Sequence, residues 1–169
     1  MFRFLFKRLI YGKRFSSGLI QRISVLSSVE LYGHGSMKLG HNLFVGPGSS
    51  LLVTGSGSLE IGDRSYFNRG CMISCHQKVV IENGCVFGPD VKIYDNDHYY
   101  SENGIDLSRH KLGDVVIGEG TWVAANAVIL RGTHIGKHCV IGAGAVVKGT
   151  ISDHSKVVQE RKLVITPIV

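Results

Sequence analysis

The segment that begins at Tyr94 places a histidine among acidic and aromatic neighbours. His98 follows Asp95 and Asp97 in the run YDNDHYY. An imidazole can accept a proton near neutral pH, and a neighbouring carboxylate can fix its tautomer and raise its basicity. Taken alone, the segment predicts either a general base or a histidine in a solvated loop. The choice depends on the element that holds the segment.

A repeat of six residues surrounds this segment. An amphipathic helix repeats its apolar positions every 3.6 residues and a half-buried strand every two, so neither explains a period of six. A short fixed period predicts a solenoid, whose units bury their apolar side chains by stacking on their neighbours. The large inward positions are Ile117, Val123, Ile129, Ile135, Ile141 and Val147, and the small ones are Thr121, Ala127, Thr133, Cys139 and Ala145.

The repeat divides the chain into three parts. We predict an N-terminal amphipathic and basic segment over residues 1–22, a solenoid domain over residues 23–152 and a C-terminal tail over residues 153–169. The period is absent from residues 94–113. A long stretch without periodicity inside a regular domain is either functional or disordered. His98 therefore lies in an extended loop that leaves the solenoid.

The N-terminal segment has two interpretations. In a helix over residues 1–14, one side would be apolar and the rest basic. Such a helix can lie in a membrane interface or cover the open end of a solenoid. The sequence has no run of ~20 apolar residues and no secretory signal pattern. We therefore expect a cytoplasmic protein, with residues 1–14 as the candidate for peripheral contact with the inner face of the membrane.

Charge and cysteine usage exclude some function classes. The net charge is +6 and the pI is near 9.3, but the basic residues gather at the two ends of the chain. Without a basic stripe interleaved with aromatic residues, we expect no nucleic-acid partner. Cys71, Cys85 and Cys139 occupy small inward positions and Cys75 is off phase, which predicts reduced thiols in the core. The cysteine spacing is not that of a metal site, and we expect no metal.

The run IGKHCVIGAGAVV over residues 135–147 resembles the hexapeptide-repeat acyltransferases, and among them the galactoside and maltose O-acetyltransferases. The resemblance implies an all-β fold, a left-handed parallel β-helix with three hexapeptides per turn. Its hand comes from the resemblance alone, because the usual rule for crossovers predicts a right hand. It further implies a homotrimer that transfers acetyl from acetyl-CoA to a sugar hydroxyl, in the biosynthesis of a bacterial surface polysaccharide.

The resemblance also implies roles for individual residues on the acceptor side. His98 lies where the family's loop leaves the helix, one coil before the hexapeptide with tryptophan, and corresponds to the catalytic histidine. Asn68 corresponds to the asparagine that reaches the acceptor hydroxyl, and Asp95 and Asp97 are expected to bind the acceptor beside it. The family has an aspartate near the position of His76, so the identity of the acceptor stays open.

The acetyl donor is expected to bind along the later coils. Since three hexapeptides make a turn, Ala125 lies beneath Ala143, one full turn later. Two small side chains in register leave a shallow groove that suits a pantetheine arm. The resemblance implies that Trp122, Ala125, Gly142 and Ala143 line coenzyme A, with the Ala125 amide facing the thioester carbonyl. Lys148 is expected to meet a phosphate of the cofactor.

Three other functions stay open. An N-acetyltransferase of an amino-sugar nucleotide would use the same parts. A metalloenzyme like the γ-type carbonic anhydrases needs three converging histidines, but Arg131 stands where one of them would fall. A noncatalytic solenoid would leave His98 and its loop without a purpose. The remaining histidines, including His110, are expected to be structural or solvated. No nucleophilic cysteine or serine stands beside a base, so direct attack without an acyl-enzyme is expected.

Overall fold

The computed structural model describes residue 7, residues 9–160 and residue 165. Residues 7 and 9–11 are helical and lead into a short 3₁₀ helix at Gly12–Arg14. Half of the amphipathic helix predicted over residues 1–14, namely residues 1–6 and 8, lies outside the described residues. Within the described part of the chain, no helix combines the length and the apolar character needed to cross a membrane.

Three parallel sheets form the walls of a solenoid. Sheet A consists of β1 (Phe15–Ser17), β4 (Ser36–Leu39), β7 (Ser58–Ile61), β10 (Lys78–Ile81), β15 (Val115–Ile117), β18 (His134–Ile135) and β21 (Thr150–Ile151). Sheet B consists of β2 (Arg22–Ile23), β5 (Phe44–Val45), β8 (Tyr66–Phe67), β11 (Val86–Phe87), β16 (Trp122–Val123), β19 (Val140–Ile141) and β22 (Lys156–Val157). Sheet C consists of β3 (Ser28–Leu31), β6 (Ser50–Val53), β9 (Met72–Cys75), β12 (Lys92–Tyr94), β17 (Val128–Ile129) and β20 (Val146–Val147). Each turn of the chain adds one strand to every sheet, so the predicted parallel β-solenoid is confirmed.

The pairing register shows that the coils become shorter along the chain. In sheet B, Phe44 pairs with Tyr66 and Tyr66 with Val86, so these early coils are longer than three hexapeptides. Trp122 pairs with Val140, which is the spacing expected from three hexapeptides. The early coils are longer because most of their strands in sheets A and C have four residues, whereas the late strands have two. The six-residue period therefore describes the late coils and only part of the early ones.

The core is a single column of side chains inside the three sheets. The six aliphatic positions predicted from the late repeat are at most 5% exposed, and the five small positions are also buried. The rings of Phe67 and Phe87 stack in the interior with centroids 4.5 Å apart. The four cysteines are buried and form no disulfide, as predicted. Burial of each large aliphatic side chain stabilises the fold by about 1.5–3 kcal/mol.

The extended loop leaves the solenoid at the corner between sheets C and A, which we call the C–A corner. Here the chain turns through residues 54–57 in one coil and through residues 76–77 in the next. In the coil after that, the same corner contains an antiparallel hairpin of β13 (Asn96–Ser101) and β14 (Gly104–Leu112). The solenoid continues on the far side, where β10 pairs with β15. The excursion expected over residues 94–113 is thus an ordered hairpin on an uninterrupted solenoid.

Candidate functional site

The base of the hairpin is attached to the preceding coil by Asp95. This carboxylate is 0% exposed and accepts hydrogen bonds from the backbone N–H of His76, at 2.8 and 3.0 Å, and of Gln77, at 2.7 Å. The Asn96 side chain donates to the Ser74 carbonyl at 3.1 Å. Asp95 was expected to face the acceptor, but its oxygens accept hydrogen bonds from the backbone N–H groups of a tight turn. Its described geometry is that of a residue that positions the hairpin.

The rings of three histidines lie close together beside the base of the hairpin. His98 on β13 lies opposite His110 on β14, and their ring centroids are 5.1 Å apart. The His110 ring lies 4.6 Å from that of His76 in the preceding coil. Burial lowers the pKa of His76, repulsion from His110 acts in the same direction, and the Asp95 carboxylate opposes both. His98 is the exposed member of the cluster. No signal in the sequence indicated this cluster, because neither His76 nor His110 belongs to a motif.

The opposite side of the hairpin contacts the following coil. Arg131 Nε donates to a carboxylate oxygen of Asp97 at 2.5 Å, and the two side chains are 24% and 46% exposed. Asp97 directly precedes His98 on β13. From the sequence, Arg131 counted only as evidence against a metal site. The hairpin is therefore held from the coils on both sides of it.

Aromatic and basic side chains surround His98 further along the hairpin. The guanidinium of Arg109 lies 4.2 Å from the centre of the Tyr99 ring. The ammonium of Lys111 lies 5.1 Å from the same ring and 4.0 Å from that of Tyr100. Such contacts hold the rings and the cations against one another. An acceptor that approaches His98 would meet this surface, which the sequence reasoning did not single out.

Three of the residues expected to bind coenzyme A, Ala125, Gly142 and Ala143, lie at the corner between sheets B and C, which we call the B–C corner. Ala125 stacks under Ala143, because the strands on both sides pair one turn apart and Gly144 N–H donates to the Ala125 carbonyl at 2.8 Å. Among the described residues, the N–H groups of Ala125 and Ala143 donate no hydrogen bond. Trp122, on the neighbouring strand of sheet B, is 50% exposed. The corner thus offers two unpaired amides in register, beside Gly142.

Asn68 lies at the same B–C corner, two coils before Ala125. Its side-chain oxygen accepts the backbone N–H of Arg69 at 2.8 Å, so it stabilises its own turn. In the coil between them, a Cβ on Gly88 would lie 2.6 Å from the backbone nitrogen of Ala125. A residue with a side chain would force these two coils apart, and glycine at this position permits their close stacking.

The structure does not unite the expected base and the expected donor groove within one chain. His98 projects from the C–A corner, whereas Ala125 and Ala143 lie at the B–C corner. In these coils the strand of sheet C between the two corners has three residues in β12 and two in β17, which corresponds to a separation of roughly 7–10 Å at about 3.3 Å per residue. Lys148 is exposed between β20 and β21. It therefore shares the C–A corner with the hairpin and lies apart from Ala143.

The buried thiols are poor candidates for a covalent nucleophile. Burial raises the pKa of Cys71 and of Cys85 to about 11, and it also raises the pKa of Cys75. A thiolate is the reactive form of cysteine, so these side chains are inert near neutral pH. In the part of the chain that the structure describes, no group of three or more His, Cys, Asp or Glu residues could hold a metal ion.

The sequence is similar to one known family and to several proteins named as acetyltransferases. Residues 114–149 match the family described as bacterial transferase hexapeptide (six repeats). The chain is 33% identical over 116 residues to Probable acetyltransferase Rv3034c of Mycobacterium tuberculosis, across 63% of this chain and 39% of that protein. It is 29% identical over 117 residues to the galactoside O-acetyltransferase of Lactococcus lactis, across 69% and 56%.

A likeness to solved structures extends over more of the chain. A mutant of AntD, an N-acyltransferase from Bacillus cereus in complex with dTDP and coenzyme A, aligns with a TM-score of 0.68. The alignment covers 93% of this chain and 86% of AntD at 18% identity, so the likeness is one of fold. The chain spans between about two fifths and two thirds of the length of the curated relatives it matches.

Proposed function

We propose that this chain is a hexapeptide-repeat acyltransferase and that it transfers an acetyl group from acetyl-CoA to a sugar hydroxyl. The observation that carries this proposal is the placement of His98. It is an exposed imidazole on a hairpin that is attached to the coils before and after it. A general base must be accessible to the acceptor, and the exposure of His98 on an attached hairpin supports this role.

The reaction follows from the chemistry of the two corners. His98 accepts the proton of the acceptor hydroxyl, and the oxygen attacks the carbonyl carbon of the thioester. The new C–O bond forms, the C–S bond breaks, and the leaving thiolate of coenzyme A takes the proton from the imidazolium. The Ala125 amide stabilises the negative charge on the carbonyl oxygen. Direct transfer is supported by the raised pKa values of Cys71 and Cys85, which disfavour an acyl-cysteine.

The donor and acceptor are assigned to different surfaces. The pantetheine arm would lie along Ala125 and Ala143, whose free amides can bond to its carbonyl groups. Trp122 and Gly142 would flank this arm. Lys148, at the C–A corner, would meet a phosphate of the cofactor from a neighbouring subunit. On the acceptor side, Asp97 would lie beside His98 at the C–A corner, and Asn68, at the B–C corner, would contact the sugar hydroxyl from a neighbouring subunit.

A complete site requires a second copy of the chain. Within one chain the base and the free amides lie at different corners, with sheet C between them. In a closed ring of three copies, the C–A corner of one subunit can face the B–C corner of the next. We therefore propose a homotrimer with His98 of one subunit opposite Ala125 and Ala143 of its neighbour. Each subunit then supplies half of two sites.

The decisive experiment is a screen of the purified protein with acetyl-CoA and a panel of sugars, read by release of free thiol. Neutral hexosides and oligosaccharides of bacterial surface polysaccharides should support release, and the acetyl group should be found on oxygen. Replacement of His98 by alanine should abolish release. Absence of transfer to any sugar, together with no binding of acetyl-CoA in calorimetry, would contradict an enzymatic function and favour a noncatalytic solenoid.

The alternative proposal is N-acylation of an amino-sugar nucleotide. The likeness of fold to AntD, an N-acyltransferase solved with dTDP and coenzyme A, favours including this substrate class. A dTDP-linked amino-sugar should therefore be part of the panel. Exclusive acylation of its amine, with no transfer to a hydroxyl of the other sugars, would replace the O-acetyltransferase by this alternative. The same histidine and the same amides would serve both reactions.

A further inference from the structure

We propose that Arg131 is a positioning residue, which orients His98 by holding the first strand of the hairpin against the following coil. Its Nε donates to the Asp97 carboxylate at 2.5 Å. The link concerns the residue directly before the candidate base, so it sets the local rotation of β13. The importance of this orientation for catalysis rests on the proposed function. The orientation itself can be measured without any substrate.

The alternation of side chains along a strand explains why the pair acts on His98. Neighbouring residues of a β-strand point to opposite sides. Asp97 points toward Arg131, in the coil after the hairpin, and the His98 ring lies near that of His110, which contacts His76 in the coil before it. A rotation of the strand would move both side chains together. The ion pair therefore keeps the imidazole on its side of the hairpin.

A second feature makes this contact important for the candidate base. The pairing of β13 with β14 is regular from Asn96 to His98, and the register then shifts between His98 and Tyr99. An isolated two-stranded hairpin is at best marginally stable in water. His98 is the last residue before this irregularity. Its position therefore depends on the contacts that anchor the attached end of the hairpin. Those anchors are Asp95 toward the preceding coil and the Asp97–Arg131 pair toward the following one.

The hairpin contains a second ion pair that serves as a matched control. Arg109 Nε lies 2.6 Å from Asp106, and both residues belong to β14. This pair spans the register shift, since Arg109 lies within the irregularity and Asp106 pairs with Tyr99 on its far side, and it joins the hairpin only to itself. Removal of either guanidinium deletes one ion pair from the same hairpin. Only removal of Arg131 disconnects the hairpin from the following coil.

The test compares Arg131→Met, Asp97→Asn and Arg109→Met by amide hydrogen exchange of the intact protein. Loss of the anchor should accelerate exchange of the amides of residues 96–98 at least tenfold in the first two variants. The same amides should keep wild-type protection in Arg109→Met. A charge swap, Asp97→Arg with Arg131→Asp, should restore much of the protection. Unchanged exchange in Arg131→Met, or an equal acceleration in Arg109→Met, would overturn the proposal.

Kinetics separate a positioning role from a merely structural one. With acetyl-CoA and a methyl galactoside as the probe acceptor, Arg131→Met should lower kcat by about tenfold to a hundredfold, the cost of a small misplacement of a reacting group. KM for acetyl-CoA and the thermal midpoint should stay near the wild-type values, and Arg131→Lys should recover part of kcat as a point charge. Faster exchange with unchanged kcat would overturn the link to catalysis. If the wild-type protein releases no thiol with any sugar, the proposed function fails, while the exchange data still decide the anchor.

Discussion

The late coils and the hairpin hold the two halves of the candidate site by different means. At the B–C corner, the amides of Ala125 and Ala143 are placed by the backbone register alone, since the strands on both sides pair one turn apart. At the C–A corner, His98 is placed by side chains, through Asp95 on one side and Arg131 on the other. Donor binding should therefore tolerate many substitutions of matched size. Catalysis should depend on a few specific polar contacts.

The largest expected effect comes from replacement of His98, the candidate general base on the hairpin. His98→Ala should lower kcat by ~10²–10⁴-fold, because the variant lacks the general base that removes the proton of the sugar hydroxyl. The affinity for acetyl-CoA, measured by calorimetry, should stay nearly unchanged, because the proposed donor groove lies at the other corner. His134→Ala, an exposed histidine on sheet A, is the control. A His98→Ala protein that keeps more than about a tenth of wild-type kcat would remove this histidine from the mechanism.

The second prediction tests whether the two corners belong to different subunits. His98→Ala keeps the groove and Ala143→Leu keeps the base, and each variant alone should be nearly inactive at low acetyl-CoA concentration. After subunit exchange in an equal mixture, about a quarter of the sites in a ring would combine both intact halves, which should restore activity in that proportion. Light scattering should give a trimer mass. A mixture without recovered activity, or a monomer with full activity, would contradict the shared site.

The third prediction compares an outward and an inward position of one late coil. Ala143 is exposed at the corner, so Ala143→Leu should raise KM for acetyl-CoA strongly by filling the groove. It should change the free energy of unfolding by no more than ~0.5 kcal/mol. Ile141 is 0% exposed, and Ile141→Ala should lower that free energy by ~2–5 kcal/mol. Denaturant titration and acetyl-CoA kinetics would distinguish the two. The reverse pattern would show that inward and outward positions had been exchanged.

The smallest expected effect concerns the pH dependence of stability at the hairpin corner. Burial and repulsion from His110 lower the pKa of His76, so the unfolded chain binds this proton more tightly than the folded protein does. The free energy of unfolding should therefore be highest above the usual histidine pKa of 6.5 and should fall as the pH drops toward the lower folded value. His76→Gln should flatten this part of the profile, measured by denaturant titration between about pH 5 and 8, the range in which histidine titrates. An unchanged profile would contradict this assignment, and His134→Gln is the control.

The sequence by itself predicted the solenoid and the stacking of two of the candidate donor residues. A six-residue period maps directly onto the stacking of coils, because every repeat contacts only its neighbours. The inward positions, three of the four buried cysteines and the stacking of Ala125 under Ala143 followed from counting, and the structure confirms them. Cys75 is buried too, although it is off phase. The resemblance of residues 135–147 to the hexapeptide-repeat acyltransferases is confirmed by the family match. The six-residue period did not predict the greater length of the early coils. Their four-residue strands add inward positions that do not follow this period.

Only the tertiary structure decided how the histidine is held. His76 comes from one coil, and His98 and His110 come from the two strands of the hairpin in the next coil. Asp97 contacts Arg131, which belongs to the coil after the hairpin. Such contacts depend on the direction of each side chain at a corner and on the register of the hairpin, which no local period encodes. The same reason explains Asp95, whose place in the sequence indicated the acceptor site and whose carboxylate is buried against backbone amides. Repetition along the chain determines the scaffold, and contacts between coils determine where the candidate base lies.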